Sequence, residues 1–339
     1  MYSPAQMDFL LLLYSLLFRL ATRIKDRLYR AGVFRPSRAP FPVISVGNIS
    51  LGGTEKTPLA MELLRILLAR GRRPALISRG YRGRWEKTGG IVSDGRGIQA
   101  TWRDAGDEPF LVARTLPQAG VFVGKDRLAS CRKAAAAGFD IAVLDDGFQH
   151  LKLGRDLDIV LFSPTEKTAL REPLSALRRA HVLLLKEGNR RDRRIANILR
   201  SLPGEVFKYE VVSRGFPELW SQEEISAESL SGKRVLAFCG IARPERFLAS
   251  LRSQGLELAS AIFFPDHHAY PPSSFRKIRR RFAETRSDAL ITTEKDAVKI
   301  GNARNAFGEA PVYVFRIGLA LEPGFFDRVA RYLTQTEKK

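Results

Sequence analysis

Pro42-Val43-Ile44-Ser45-Val46-Gly47-Asn48-Ile49-Ser50-Leu51-Gly52-Gly53-Thr54-Glu55-Lys56-Thr57 is the stretch on which the fold of this chain turns. It reads as a buried strand, a glycine-rich loop and the first residues of a helix. Backbone N–H groups converging at a helix N-terminus form a nest for anions. Lys56 is placed to reach the β- and γ-phosphates of a nucleotide, and the Thr57 hydroxyl to meet Mg²⁺. Gly52, Gly53, Thr54 and Glu55 make up the rest of the loop. The phosphate-loop pattern G-x-x-x-x-G-K-[ST] is broken twice, because Ser50 and Glu55 stand where it has glycine. A glycine-rich turn that binds nothing is the competing reading.

Glu55 has a physical consequence. A carboxylate about 4 Å from a phosphate, at an effective dielectric near 20, is repelled by roughly 4 kcal/mol. If the side chain faces the nest, ATP affinity falls steeply; if it swings into solvent, little is lost. The sequence alone predicts impaired ATP binding that Glu55→Gly restores.

The 339 residues suffice for one large or two modest domains. The composition, 45% hydrophobic and 27% charged, excludes a disordered chain. A net charge of +20 favours anionic partners: nucleic acid, phospholipid or a phosphorylated substrate. Two cysteines, Cys131 and Cys239, in unrelated contexts exclude a disulfide framework. Met7 to Phe18 is almost wholly apolar, too short to span a bilayer comfortably and without the marks of a signal peptide. Continued to Arg30 it gains a polar, basic stripe, the pattern of a helix lying in an anionic membrane interface. A terminal helix docked on the protein itself is the alternative.

Strand-like runs recur at Phe41–Val46, Pro74–Ser78, Gly120–Val123, Asp140–Leu144, Leu157–Phe162 and His181–Leu185, with helical patterns such as Pro58–Arg70 and Leu128–Ala137 between several of them. Alternation of this kind predicts an α/β fold, a mainly parallel sheet of the phosphate-loop NTPase type covered by helices. A second set, Arg234–Cys239, Leu258–Phe264, Ala289–Thr293 and Val312–Ile317, predicts a smaller α/β domain. The expected division is an N-terminal interface helix over 1–35, a kinase-like core over 36–205 and the smaller domain over 206–339. The cleft between the two is the natural substrate site.

Five further segments carry candidate chemistry. Ile141-Ala142-Val143-Leu144-Asp145-Asp146-Gly147-Phe148-Gln149-His150 is an apolar strand ending in acid, the expected partner of a phosphate loop because its carboxylates hold Mg²⁺. Asp107, in Gly106-Asp107-Glu108-Pro109, is a candidate general base, though two acids opening a helix also complement its dipole. Asp266-His267-His268 holds two of the four histidines; with no third N or S ligand nearby, a base tuned by a carboxylate is preferred to a metal site. Arg79, in Ser78-Arg79-Gly80-Tyr81, suits phosphate recognition. Thr292-Thr293-Glu294-Lys295-Asp296-Ala297-Val298-Lys299 opens a helix that its own charges cap.

Taken together with Leu170-Arg171-Glu172-Pro173, these segments resemble, in order and over nearly the whole chain, the tetraacyldisaccharide 4′-kinase family of lipid A biosynthesis. The resemblance implies a peripheral enzyme on the cytoplasmic face of the bacterial inner membrane. It implies transfer of the γ-phosphate of ATP to the 4′-hydroxyl of a lipid A disaccharide 1-phosphate, with ATP and Mg²⁺ as cofactors. By matching positions, Lys56 and Thr57 bind ATP and magnesium, and Asp145 and Asp146 complete the metal site. Asp107 is the base, supported by His267; Arg79, Gln149 and His150 position phosphate or substrate. The family has glycine where this chain has Glu55. Two rivals stand against it. A membrane-associated phosphate-loop ATPase of the partitioning type would carry lysine at Leu51. A non-catalytic membrane- or nucleic-acid-binding relative would explain Glu55 as a dead site, but no nucleic-acid-binding module is recognisable.

Overall fold

The structure is a computed structural model that describes residues 24, 27–29, 31–50, 55–163, 170–187 and 199–336. The expected interface helix therefore falls almost wholly outside the described residues, as do Gly52, Gly53 and Thr54 of the loop. No helix among the described residues is long and apolar enough to cross a membrane.

Among the described residues, fifteen strands fall into a large sheet, a smaller sheet and one short pair. The strands are β1 (Val43–Asn48), β2 (Pro74–Ser78), β3 (Gly90–Asp94), β4 (Gly120–Val123), β5 (Ile141–Asp145), β6 (Leu157–Phe162), β7 (Val182–Lys186), β8 (Glu205–Ser213), β9 (Phe216–Pro217), β10 (Glu224–Ile225), β11 (Arg234–Cys239), β12 (Glu257–Phe263), β13 (Ala289–Thr293), β14 (Val312–Phe315) and β15 (Ile317–Leu321). The large sheet has the order β15-β8-β7-β6-β1-β5-β2-β4-β3. From β8 to β4 every pairing is parallel; only the edge strands β15 and β3 run antiparallel to their neighbours. Central strands β1, β5 and β6 are buried along their whole length, which is why they read as largely apolar runs rather than alternating ones.

The principal helices are α1 (Lys56–Ala69), α2 (Trp102–Ala105), α3 (Asp107–Thr115), α4 (Arg127–Ala136), α5 (Pro244–Ser253), α6 (Pro272–Glu284), α7 (Glu294–Ile300) and α8 (Phe325–Thr336). Helix α1 buries Leu59, Leu63, Leu64 and Leu67 in the main core, at a spacing that keeps one face inward. Each leucine so buried contributes about 1.5–3 kcal/mol.

The smaller sheet, β12-β11-β13-β14, is entirely parallel and encloses its own core around Leu236, Phe238, Ile278 and Leu290. The pairing of the last strands differs from the expected division at 205/206. β8 hydrogen-bonds to β7, and β15 returns to pair with β8, so both belong to the large sheet. Phe325, Val329 and Leu333 of α8 pack into the main core with them. The segment after residue 205 thus leaves the large sheet, builds the smaller one and comes back. Single-strand patterns gave no sign of that return, because an antiparallel edge strand looks the same in sequence whichever sheet it joins.

Candidate active site

The site forms at the carboxyl ends of β1, β5 and β2, where an open α/β sheet places its ligands. β1 and β5 are hydrogen-bonded neighbours with Val46 opposite Asp145, so the glycine-rich loop and the twin acids leave the sheet side by side. Gly47 lies so near the turn after β5 that an added Cβ would stand 2.4 Å from the Cβ of Phe148. Only glycine lets the two segments approach this closely.

Lys56 opens α1 and its Nζ lies 3.0 Å from Oδ1 of Asp146 and 3.5 Å from Oδ1 of Asn48. No side chain caps α1 and its first turn carries no acid, which suits that end of the helix to an anion. Thr57 is buried in the first turn. Asp146 is also held by Arg171, 3.0 Å away. Burial pushes its carboxyl up, but Lys56 and Arg171 outweigh that and lower it to about 2. Its neighbour goes the other way: burial, Glu108 and Asp146 push Asp145 up to about 7. One of its oxygens accepts from Ser78 Oγ at 3.3 Å, while the buried Oδ1 has no hydrogen-bond partner among the described residues. An orphaned buried carboxylate oxygen beside a second acid fits a divalent cation, and Asp145 is the residue on which that fit rests.

Glu55 is held by side chains from distant segments. Its backbone is left-handed, with φ 53° and ψ 28°, the conformation glycine would adopt without strain. Its carboxylate is turned toward Lys186 (3.7 Å), Arg246 (3.3 Å) and the Tyr209 hydroxyl, which donates at 3.4 Å. It is only 11% exposed. Two cations offset the charge that would otherwise oppose a triphosphate. The expected result is therefore that Glu55→Gly changes the ATP dissociation constant little, whereas Arg246→Ala weakens ATP binding roughly tenfold, about 1.4 kcal/mol. The double variant should bind as Glu55→Gly does. Titration calorimetry reads all three; unchanged affinity in Arg246→Ala would show that the ion pair does not shield the loop.

The base candidate stands at the start of α3. Gly106 (φ 86°) turns the chain between α2 and α3 where a Cβ would meet the Tyr81 carbonyl at 2.8 Å. That turn buries Asp107, whose Oδ2 lies 2.9 Å from Nδ1 of His267. Burial raises the Asp107 carboxyl, but the His267 hydrogen bond and the charges of Lys295, His267 and Lys299 bring it down to about 2. His267 moves up in return, through its hydrogen bond to Asp107 against the opposing effect of burial. The Glu108 carboxyl is lowered, burial opposing, by an ion pair with Lys295 and by Lys56, so it senses the phosphate loop and α7 together. One constellation thus joins Lys56, the twin acids and the Asp–His pair.

The other expected residues lie near this centre with partners of their own. Gln149 donates through Nε2 to the Asn48 carbonyl at 2.7 Å, tying the turn after β5 to the end of β1. Arg79 follows β2 and pairs with Glu86 at 2.7 Å, half exposed. The His150 carbonyl accepts from Arg155 at 3.2 Å. Lys295 and Lys299 of α7, expected to cap their own helix, instead face the acids of α3, Lys295 pairing with Glu108 and Lys299 standing 3.7 Å from Asp107 Oδ2. Their register, two lysines four residues apart, was the available signal.

A phosphate loop beside an acid-ended strand, with a carboxylate–imidazole pair across from it, defines a phosphotransferase of the phosphate-loop class. Comparison with known proteins narrows the class. The profile of tetraacyldisaccharide-1-P 4′-kinase matches residues 7–334, and the chain belongs to that family. It is 40% identical over 303 residues to a tetraacyldisaccharide 4′-kinase of Pelobacter propionicus, covering 86% of this chain and 82% of the relative. It is 38% identical over 315 residues to that of Syntrophus aciditrophicus, covering 86% and 84%. The crystal structure of LpxK from Aquifex aeolicus in complex with ATP is similar with a TM-score of 0.75 and 28% identity, over 97% of this chain and 99% of that one.

Proposed function

We propose that this chain transfers the γ-phosphoryl group of ATP to the 4′-hydroxyl of a tetraacyldisaccharide 1-phosphate, working at an anionic membrane surface. The observation that carries the reading is the meeting of Lys56 with Asp146 at 3.0 Å beside the Asp107–His267 pair at 2.9 Å. The substrate class comes from the family.

The acceptor oxygen forms a bond to the γ-phosphorus as the bond from phosphorus to the β,γ-bridging oxygen breaks, and ADP leaves with that electron pair. The hydroxyl proton goes to Asp107, whose carboxylate the Nδ1–H of His267 holds in place at 2.9 Å. His267, raised by the carboxylate it donates to, keeps Asp107 ionised and oriented before the transfer, and the proton leaves Asp107 to solvent once the product departs. Lys56 sits where charge accumulates on the transferring group. Thr57, Asp145 and Asp146 would hold magnesium, which when bound neutralises the β- and γ-phosphate oxygens. The positive charge of the chain favours the 1-phosphate of the acceptor, and residues 1–35 would bring it to the lipid.

The deciding experiment is an assay with ATP, Mg²⁺ and the lipid monophosphate in anionic vesicles. ATP-dependent formation of the 1,4′-bisphosphate is expected. Removing residues 1–30 should lower vesicle-bound turnover while leaving ATP affinity unchanged. ATP hydrolysis with no phosphorylated lipid would overturn the assignment.

A further inference from the structure

We propose that the buried Lys299–Asp296 pair of α7 is a positioning device for the Asp107–His267 dyad, acting on both partners from the helix that follows β13 of the smaller sheet. This rests on the kinase reading for its purpose, but not for its geometry. Lys299 Nζ lies 3.0 Å from Asp296 Oδ1 and 3.7 Å from Asp107 Oδ2, and both side chains of the pair are at most 1% exposed. The far oxygen of Asp296 accepts from the Gly240 amide at 3.0 Å and from the Thr293 hydroxyl at 2.8 Å. The Gly240 carbonyl in turn accepts from the His267 amide at 3.1 Å. A single carboxylate therefore anchors the cation behind the base and the backbone that presents its partner.

Two details show that this arrangement is tightly determined. His267 is left-handed at φ 61°, a conformation that a histidine keeps only where its surroundings hold it. Gly240 is hemmed in: a Cβ there would stand 3.0 Å from the Cβ of His268 and 3.1 Å from the Pro265 carbonyl. Lys295, one turn earlier on the same face of α7, pairs with Glu108. The two acids that open α3 are thus matched by two lysines from the helix packed against it. The base is held as an oriented anion only while α7 is docked on α3, so its readiness is coupled to the seating of one sheet on the other. The charged and titratable groups facing the dyad are Lys295 and Lys299 from α7, Glu108 beside Asp107, Asp266 at 3.7 Å from Nε2 of His267, Asp296 behind Lys299, and from the loop after β2 the Tyr81 ring, 5.7 Å from that of His267, and Arg82, which donates to the Asp266 carbonyl at 3.0 Å.

A purely structural ion pair would contribute to stability and leave the dyad's titration alone. The two readings separate by NMR titration of the His267 ring, assigned by its loss in His267→Gln and needing no turnover. Lys299→Met removes a cation and should raise the proton affinity of His267 by about threefold or more; Asp296→Asn leaves Lys299 uncompensated and should lower it by a similar factor. In the phosphotransfer assay, the acidic limb of kcat should move up in the first variant and down in the second, with KM for ATP unchanged. If Lys299→Met does not fold, the opposite-signed shift in Asp296→Asn still decides. Parental titration of His267 in a folded variant would overturn the proposal. Absence of lipid phosphorylation by the parent would instead remove the kinase reading and leave the NMR result standing.

Discussion

Asp107→Asn is expected to lower kcat by about 10²–10⁴-fold, the range that a positioned general base supplies, with little change in KM for ATP. The substitution is nearly isosteric, and Glu108 backbone contact and helix start are kept, so the loss is chemical rather than structural. An amide cannot take the hydroxyl proton, and it also removes the anion that raises His267. The pH dependence follows with a definite sign. In the parent, the imidazolium charge of His267 weakens Asp107 as a base, so kcat rises with pH as His267 loses that charge, through a value above the ordinary 6.5 of histidine. In Asp107→Asn the largest cause of that elevation is gone, and the residual activity should rise at lower pH than in the parent. Asp107 itself, at about 2, stays ionised throughout this window and adds no limb of its own. Steady-state profiles of the two forms between pH 5.5 and 9 would serve as the check, taking roughly that range because it brackets the imidazole. Parental turnover in the variant would take Asp107 out of the base role.

The main fold was legible because its central strands are buried on both faces, and such strands announce themselves as continuous apolar runs ending in functional loops. The pairing of Lys56 with the acids after β5 was legible for the same reason: residues at the ends of neighbouring parallel strands must meet. What was not legible depended on contacts between distant segments. Nothing near Glu55 in sequence foretells Lys186, Arg246 and Tyr209, which arrive from β7, α5 and β8. Because those partners are remote, charge repulsion was the only term visible, and the compensation was not. Lys295 and Lys299 were hidden differently. Their own helix offered nearby acids, so a local capping role satisfied the pattern, while the groups they match lie on α3. Asp145 and Asp146 looked equivalent as adjacent letters; the left-handed backbone of Asp146 (φ 50°) aims it at two cations and leaves Asp145 in the core.

That asymmetry gives the second large effect its form. Lys56→Met should lower kcat by about 10²–10³-fold, the usual loss when one donor to developing transition-state charge is removed. Stability should change little. The methionine fills the stem's volume, and Asp146, deprived of one cation at 3.0 Å, keeps Arg171 at the same distance. Its carboxyl should rise from about 2 without becoming neutral at pH 7, since Arg171 still lowers it. Lys56→Arg is expected to rescue poorly despite retaining the charge. The planar, longer guanidinium fork cannot occupy the place of a compact ammonium between Asp146 and Asn48. The separation of kcat from thermal midpoint is what distinguishes a catalytic cation from a structural one. A lysine that merely neutralised the acids would show the reverse, a lowered midpoint with phosphotransfer within about tenfold of the parent, and Lys56→Arg would restore both.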